Sequence, residues 1–436
     1  MSAKDRARTS PDFAFWLFLI ALWALSFVTQ HDWTFSTDAA EKTAEDLAAA
    51  AAEGDLLRRV ALPLSAVLGV VAFYFHAPGR LTKPSFTGWI LISLFLWMAA
   101  SVMWSDQPQL SVRRVIAFAC LMMSALGTAA IALDRFPTFA LVFALGNLVV
   151  GIVAELSLGS FMAGAEGYRF GGTMHPNLQG ANLVVLILAC AWLVFSSQSG
   201  KRTLAVLSLG GIAFTFLLLT QSRTSVATLA VVLVLSLTLI GVRKWGVGVL
   251  IPLASVVGAA LGPLLLLYAF SWSSGFGVLA SQVVTTDRDL GDPTQLTGRV
   301  DLWYEVLGFV AQRPWLGWGF DAFWSPQRVL QISWALQWQI NQAHNSYLEM
   351  VANLGIVGVA LYILAIGSAL IVSARSYVSG SEADGFLSAV TFFAVAHGLL
   401  ESITVLPTFP TYIMFVALFI QGYFRHFIVE GKLDDS

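Results

Sequence analysis

The run VATLAVVLVLSLTLIGV, residues 226–242, contains no charged side chain, and runs of similar length recur from one end of the chain to the other. A bilayer's hydrocarbon core is about 30 Å thick, which takes roughly 20 residues of α-helix to cross. Inside that core every backbone N–H and C=O must be paired within the protein, so an uncharged run of this length is read as a helix. The chain is therefore expected to be an all-α polytopic membrane protein. Composition agrees: 57% of residues are hydrophobic and 11% charged, where a soluble protein carries about 25% charged residues.

Reading by length gives about twelve transmembrane helices, at 13–29, 59–76, 86–104, 115–133, 139–157, 178–196, 204–220, 226–242, 246–270, 346–372, 386–404 and 406–424. Only QSRTS separates 204–220 from 226–242, so a single re-entrant hairpin is the alternative there. The N-terminal MSAKDRARTSPD and the apolar Phe13–Thr29 resemble a signal peptide. That run is 17 residues long, however, against roughly 7–15 for a signal's apolar region, and no small-x-small cleavage site follows. It is read as an uncleaved first span. One membrane domain results: residues 1–270 hold spans one to nine, 271–345 form a large outer loop, and 346–436 hold the last three spans and a tail.

The loops carry the remaining information. With the N-terminus inside, the inner side holds eight arginines and five lysines, and the outer side ten arginines and one lysine. Topology signals use either residue. A preference for Arg fits bidentate binding of phosphate or carboxylate, although ordinary surface use of Arg gives the same count. Residues 30–58 read as an Ala-rich outer helix whose Asp32, Asp38, Glu41, Glu45, Asp46, Glu53 and Asp55 form a solvated face rather than a metal site. In the large loop, TGRVDLWYEVLGFVAQRP predicts an amphipathic helix with Val300, Trp303, Leu307 and Val310 on one stripe. Trp303, Trp315, Trp318, Trp324, Trp334 and Trp338 crowd the loop, as expected of a segment at headgroup level. Cys120 and Cys190 lie in apolar runs and are read as packed thiols. The net charge of −2 leaves no basic surface for nucleic acid.

The stretch QAHNSYLEMVANLGIVG, residues 342–358, starts a span. Ser346-x-x-Glu349 matches a capping box, so a helix is expected to begin at Ser346 with His344 and Asn345 just outside it. Free N–H groups there present partial positive charge. That charge disfavours imidazolium, leaving His344 a neutral base, and favours a bound anion. A plain capping role for His344 is the other reading. Arg223, in QSRTS, lies at the outer membrane boundary, where ionisable groups are expensive. Arg299 falls in the first turn of the loop helix if Thr297 is its N-cap, an unfavourable end for a cation. Arg169, in GYRFGGTMHPN, sits beside glycines that would let backbone approach a ligand. His175 and Asn177 of that loop are read as caps, and Arg288, Arg313 and Arg328 as surface charges. Three arginines and one histidine on one face suit transfer of a glycan from a lipid pyrophosphate. The arginines would stabilise the leaving group and the histidine would deprotonate the acceptor hydroxyl.

TGRVDLWYEVLGFVAQRPWLGWGFDAFW, followed by AHNSYLEMVANLGIVG, resembles the O-antigen ligase and polysaccharide polymerase superfamily of bacterial inner membranes. GFDAFW looks most like its exopolysaccharide-polymerising branch. QSRTS and GGTMHPNLQGANL match more weakly, and the first 160 residues match only in topology and in WSDQPQLSVRR. The resemblance implies a C-type glycosyltransferase fold, a site facing the periplasm, and an undecaprenyl-pyrophosphate-linked oligosaccharide as donor. It implies an essential histidine at His344 and pyrophosphate or glycan contacts from Arg223, Arg299, Arg169 and Asn345, with no metal or cofactor. The implied partners are a glycan or lipid A-core acceptor, membrane lipid, and proteins of polysaccharide export and chain-length control. Polymerase is the favoured reading and ligase the alternative. A transporter or flippase is a third reading, since twelve spans suit one. Against it, Glu155 and the His397/Glu401 pair fall toward the outer ends of their spans rather than at the midplane. A structural scaffold is a fourth, which would leave Arg223 and His344 dispensable.

Overall fold

The computed structural model describes residues 3–30, 43, 45, 46, 49, 56–165, 168–195, 199–247, 298–402 and 407–424. Among these the chain is helical and has no strand. The bundle is built from α1 (Ala3–Gln30), α2 (Leu56–His76), α3 (Phe86–Ala100), α4 (Pro108–Ile131), α5 (Phe136–Leu158), α6 (Pro176–Phe195), α7 (Gly200–Leu219) and α8 (Arg223–Trp245). After the large loop come α11 (Ser346–Val378), α12 (Ala383–Gly398) and α13 (Phe409–Phe419). Within the loop lie two shorter helices, α9 (Arg299–Val310) and α10 (Pro326–Leu336). Among the described residues, eight helices are long and apolar enough to cross a membrane, and two apolar helices, Phe13–Ser26 and Phe409–Phe424, are shorter. The chain is a multi-pass membrane protein. The expected span at 246–270 and nearly all of the expected 30–58 helix lie outside the described residues. The run around QSRTS is two helices, α7 and α8, not one hairpin.

α13 explains how a short helix belongs to a membrane bundle. All 11 of its residues are buried, as expected of a helix that is apolar all round and packed inside other helices. Phe409 stacks on Phe143 of α5 at 4.4 Å, and the Tyr412 hydroxyl lies 3.1 Å from Ser124 Oγ of α4 and 2.5 Å from Thr128 Oγ1. The lipid-facing surface is instead made by helices such as α2 and α7, with Val67, Tyr74, Leu204 and Leu218 exposed.

α11 is not one straight span. Gly355 takes φ 69° and ψ −172° inside it, and the loop segment 314–319 passes through the break. Ile356 N donates to Pro314 O at 2.8 Å, Trp318 N to Ala352 O at 3.0 Å, and Gly319 N to Asn353 O at 2.9 Å. The backbone groups freed by the kink are thus paired by the loop, as burial requires. Residues 346–354 form a piece separate from the remainder of α11, where the sequence predicts one continuous span over 346–372.

The large loop has its own core of Leu302, Val306, Phe323, Trp324, Val329, Ile332, Ile340, Ala343 and Ala352. The buried stripe of α9 is Leu302 and Val306, one position off the expected stripe, and Leu307 is 49% exposed. Most of the tryptophans serve this core rather than a lipid surface. Trp303 Nε1 donates to Ala343 O at 2.8 Å, Trp318 Nε1 to Phe309 O at 3.2 Å, and Trp324 Nε1 to Glu349 Oε2 at 2.8 Å. Only Trp315 and Trp334 of the six are strongly exposed, at 64% and 60%.

Two ion pairs bolt this loop to the turn between α3 and α4 and to the start of α4. Arg328 pairs with Asp106, and Arg114 with Asp321 at 2.9 Å. WSDQPQLSVRR and GFDAFW therefore meet in space. Arg328 is no surface charge: it is 7% exposed, and its guanidinium lies 4.0 Å from the centre of the Trp318 ring. Arg313 reaches the same ring at 4.2 Å. Arg288 lies outside the described residues.

Candidate active site

The turns 159–175 and 220–222, the start of α9, the start of α11 and the segment after α12 converge at one end of the bundle. Their meeting point is Glu401. α12 ends at Gly398 rather than running to 404, and Glu401 N donates to His397 O at 3.0 Å just beyond it. The Glu401 side chain is 2% exposed. Its Oε1 accepts from Arg299 at 2.8 Å and from Asn177 Nδ2 at 2.9 Å, and its Oε2 lies 3.1 Å from His344 Nδ1. Arg299 also donates to Leu400 O. Asn177 Oδ1 accepts from Arg169 at 2.7 Å, and Arg169 Nε donates to Thr220 O at 3.0 Å. Arg169, Arg299 and His344 are thus brought together through residues the sequence reading had not assigned to the site.

Each member is set by local structure. Thr297 lies outside the described residues; the N-cap of α9 is Gly298, at φ 75°. The cation at this helix start is explained by the Glu401 carboxylate. Arg169 is placed by Glu155, whose Oε1 accepts from Gly171 N at 3.1 Å and Gly172 N at 2.7 Å. The glycines serve helix packing here: a Cβ on Gly172 would lie 2.4 Å from Gly151 Cα of α5. His175 caps α6, its Nδ1 3.2 Å from Asn177 N. Asn177, also expected as a cap, uses its side chain to bridge Arg169 and Glu401.

His344 sits at φ 51°, a left-handed conformation uncommon outside glycine and asparagine. Asn345, not Ser346, is the N-cap of α11: its Oδ1 accepts from Tyr347 N at 3.0 Å and Leu348 N at 2.9 Å. Its Nδ2 donates to Leu399 O at 3.0 Å, so both ends of the amide are engaged within the protein. Glu349 Oε1 accepts from Ala343 N at 2.5 Å and from Ser402 Oγ at 3.2 Å. Trp338 stacks on the His344 ring, with centroids 6.3 Å apart and planes at 27°.

Arg223 is the first residue of α8, exposed, and has no hydrogen bond or ion pair among the described residues. Its turn touches the network twice. Thr220 O holds Arg169, and Ser225 Oγ lies 3.4 Å from His397 Nε2. The Arg223 guanidinium is left to solvent at this same end.

Burial pushes the Glu401 carboxyl up, but the hydrogen bond from His344 and the charge of Arg299 outweigh it and hold the carboxyl at about 2. Glu401 is therefore ionised and can only accept. His344 Nδ1 must carry the proton between them, and in the neutral ring Nε2 is the basic nitrogen. Nε2 has no hydrogen-bond partner among the described residues. The arrangement offers one basic imidazole nitrogen beside guanidinium groups. A cavity of about 220 Å³, lined by Asp134, Arg135, Trp192 and Glu382, opens at the opposite end and shares no residue with this network.

Residues 203–363 match the family model for O-antigen ligase. Over that segment the chain is similar to O-antigen ligases. No curated protein matches it. The matched segment contains Arg223, Arg299, His344 and Asn345, whereas Arg169, Asn177 and Glu401 reach the site from either side of it. The match agrees with the resemblance read from the sequence and supports a membrane enzyme of the ligase or polymerase type acting on lipid-linked glycan.

Proposed function

We propose that this protein is an inner-membrane glycosyltransferase that takes glycan from an undecaprenyl-pyrophosphate-linked donor at the periplasmic end of the bundle. The observation that supports this reading best is the basic nitrogen of His344 beside Arg299 and Arg169, with the exposed Arg223 at the adjoining start of α8. The acceptor hydroxyl gives its proton to His344 Nε2 as its oxygen attacks the anomeric carbon. The bond from that carbon to the pyrophosphate oxygen breaks, and the electron pair leaves with the lipid pyrophosphate. Arginines stabilise the charge that grows on the leaving group without calling on a metal. A single displacement of this kind inverts the sugar configuration. Arg223 and Arg299 are assigned to the pyrophosphate, Arg169 supports them through Asn177, and Asn345 orders the start of α11. The likeness to C-type glycosyltransferases belongs to the same reading.

The acceptor proposed is another lipid-linked glycan, so the product is a polymer of repeat units. The second reading is a ligase using lipid A-core saccharide, and the family's description as O-antigen ligase favours it. Partners in export and chain-length control accompany either. Purified protein in lipid nanodiscs, given a defined undecaprenyl-pyrophosphate oligosaccharide, separates the cases. Glycan growth with release of lipid pyrophosphate and no core acceptor supports polymerase, and transfer only when lipid A-core is added supports ligase. Neither reaction, with passage of intact donor across vesicles, overturns the proposal in favour of a transporter. EDTA is expected to leave turnover unchanged.

A further inference from the structure

We infer that Glu401 is a positioning residue that fixes the tautomer and aim of His344, an inference that rests on the reaction proposed above. The two carboxylate oxygens divide their work. Oε1 takes both Arg299 and Asn177, which fixes the carboxylate plane, and Oε2 is left for His344 Nδ1. The histidine backbone is tied to the same place. Asn345 N donates to Ser402 Oγ at 3.1 Å, Ser346 Oγ to Glu401 O at 2.8 Å, and Asn345 Nδ2 to Leu399 O at 3.0 Å. Residues 344–346 are thus fastened to 399–402 along their length, which supports the φ of 51° at His344. Trp338 lies against the ring face and Trp303 holds the preceding carbonyl.

A buried acceptor at Nδ1 does two things for a histidine base. It keeps the proton on that nitrogen, so Nε2 faces the acceptor hydroxyl with its lone pair. It also stabilises the imidazolium formed when Nε2 takes the hydroxyl proton, while remaining ionised itself. That proton leaves from His344 to solvent after the products depart. Arg299 on the same carboxylate links the base to the side chain assigned to the pyrophosphate.

The test uses the full-length protein in nanodiscs with a defined undecaprenyl-pyrophosphate oligosaccharide, measuring kcat, KM and the pH profile. Glu401→Gln is expected to lower kcat about 100-fold. The acid limb of its kcat profile should move to lower pH, because a neutral amide no longer favours the charged imidazole. Glu401→Asp keeps the charge and should recover at least about tenfold of that loss with the wild-type limb. Glu401→Gln combined with His344→Ala should be no slower than His344→Ala alone, as residues acting as a unit behave. Wild-type kcat and profile in Glu401→Gln would overturn the inference. So would multiplicative losses in the double variant, or equal losses with one profile in the Gln and Asp variants. Should Glu401→Gln not fold, nitrogen-15 shifts of histidine-labelled wild-type protein decide, with Nδ1–H at His344 expected and Nε2–H contradicting. Full turnover by His344→Ala would instead refute the proposed reaction and leave the Glu401–His344 contact untouched.

Discussion

The carbonyl oxygen of Trp315 occupies the space where a side chain at Gly355 would stand: a Cβ there would be 2.1 Å from it. The large loop therefore passes through the break in α11, and the site above that break depends on the crossing. Gly355→Ala combines a positive φ with a backbone clash, and about 3 kcal/mol or more of destabilisation is expected. Thermal melting of the purified variant measures it. Turnover should fall with the folded fraction, because Asn353 O and Ala352 O hold the loop through Gly319 and Trp318.

The two ion pairs that bolt the loop to the α3–α4 turn and the start of α4 differ in burial, and so should their worth. Arg328 and Asp106 have side chains 8% and 27% exposed, and Arg114 and Asp321 35% and 24%. Asp106→Ala strands a buried guanidinium and should cost about 2–4 kcal/mol. Arg114→Ala removes a more solvated pair and should cost about 1 kcal/mol or less. Equal losses in denaturation experiments on the two variants would contradict the burial argument.

How much of this was legible in the sequence follows from distance along the chain. Apolar runs located the helices, because crossing a bilayer is a local requirement, and the polar edge QAHNSYLE located the start of α11. Arg299 stands out locally as a cation at a helix start, Arg169 as an arginine beside glycines, and His344 as an imidazole just outside a helix N-terminus. Glu401 was noticed beside His397 but not given its role. It lies inside a run that reads as membrane span to residue 404, and its partners are 57, 102 and 224 residues away. No periodicity reports such contacts. Arg328 was misjudged likewise, since Asp106 lies 222 residues earlier. The kink at Gly355 escaped notice because NLGIVG is apolar throughout, and only the crossing loop makes that glycine necessary.

The Glu401 carboxyl sets an acid limit on stability. Its value of about 2 in the folded protein lies below the roughly 4.3 of an unperturbed glutamate. A depressed carboxyl contributes stability that is fully present above its unfolded value and lost as pH falls through the folded one. This contribution should decline as pH falls between about pH 4 and pH 2. Glu401→Gln should be less stable than wild type at neutral pH, with the gap closing as pH is lowered through that window. Melting temperatures of both proteins across the range check it.

Among the described residues the Arg223 side chain has no partner, so its removal should separate binding from folding. Arg223→Ala is expected to leave the melting temperature unchanged and raise KM for the lipid-pyrophosphate donor about tenfold, the equivalent of roughly 1.4 kcal/mol of binding. Arg223→Lys should fall between, since an ammonium replaces a two-pronged donor with a point charge. A large drop in melting temperature with unchanged KM would assign Arg223 to structure instead.

The most direct test of the account is turnover by His344→Ala in nanodiscs with the defined undecaprenyl-pyrophosphate oligosaccharide. The account predicts that release of lipid pyrophosphate slows about 10²- to 10⁴-fold while the protein stays folded and still binds donor. Undiminished release and glycan growth by folded His344→Ala would contradict it.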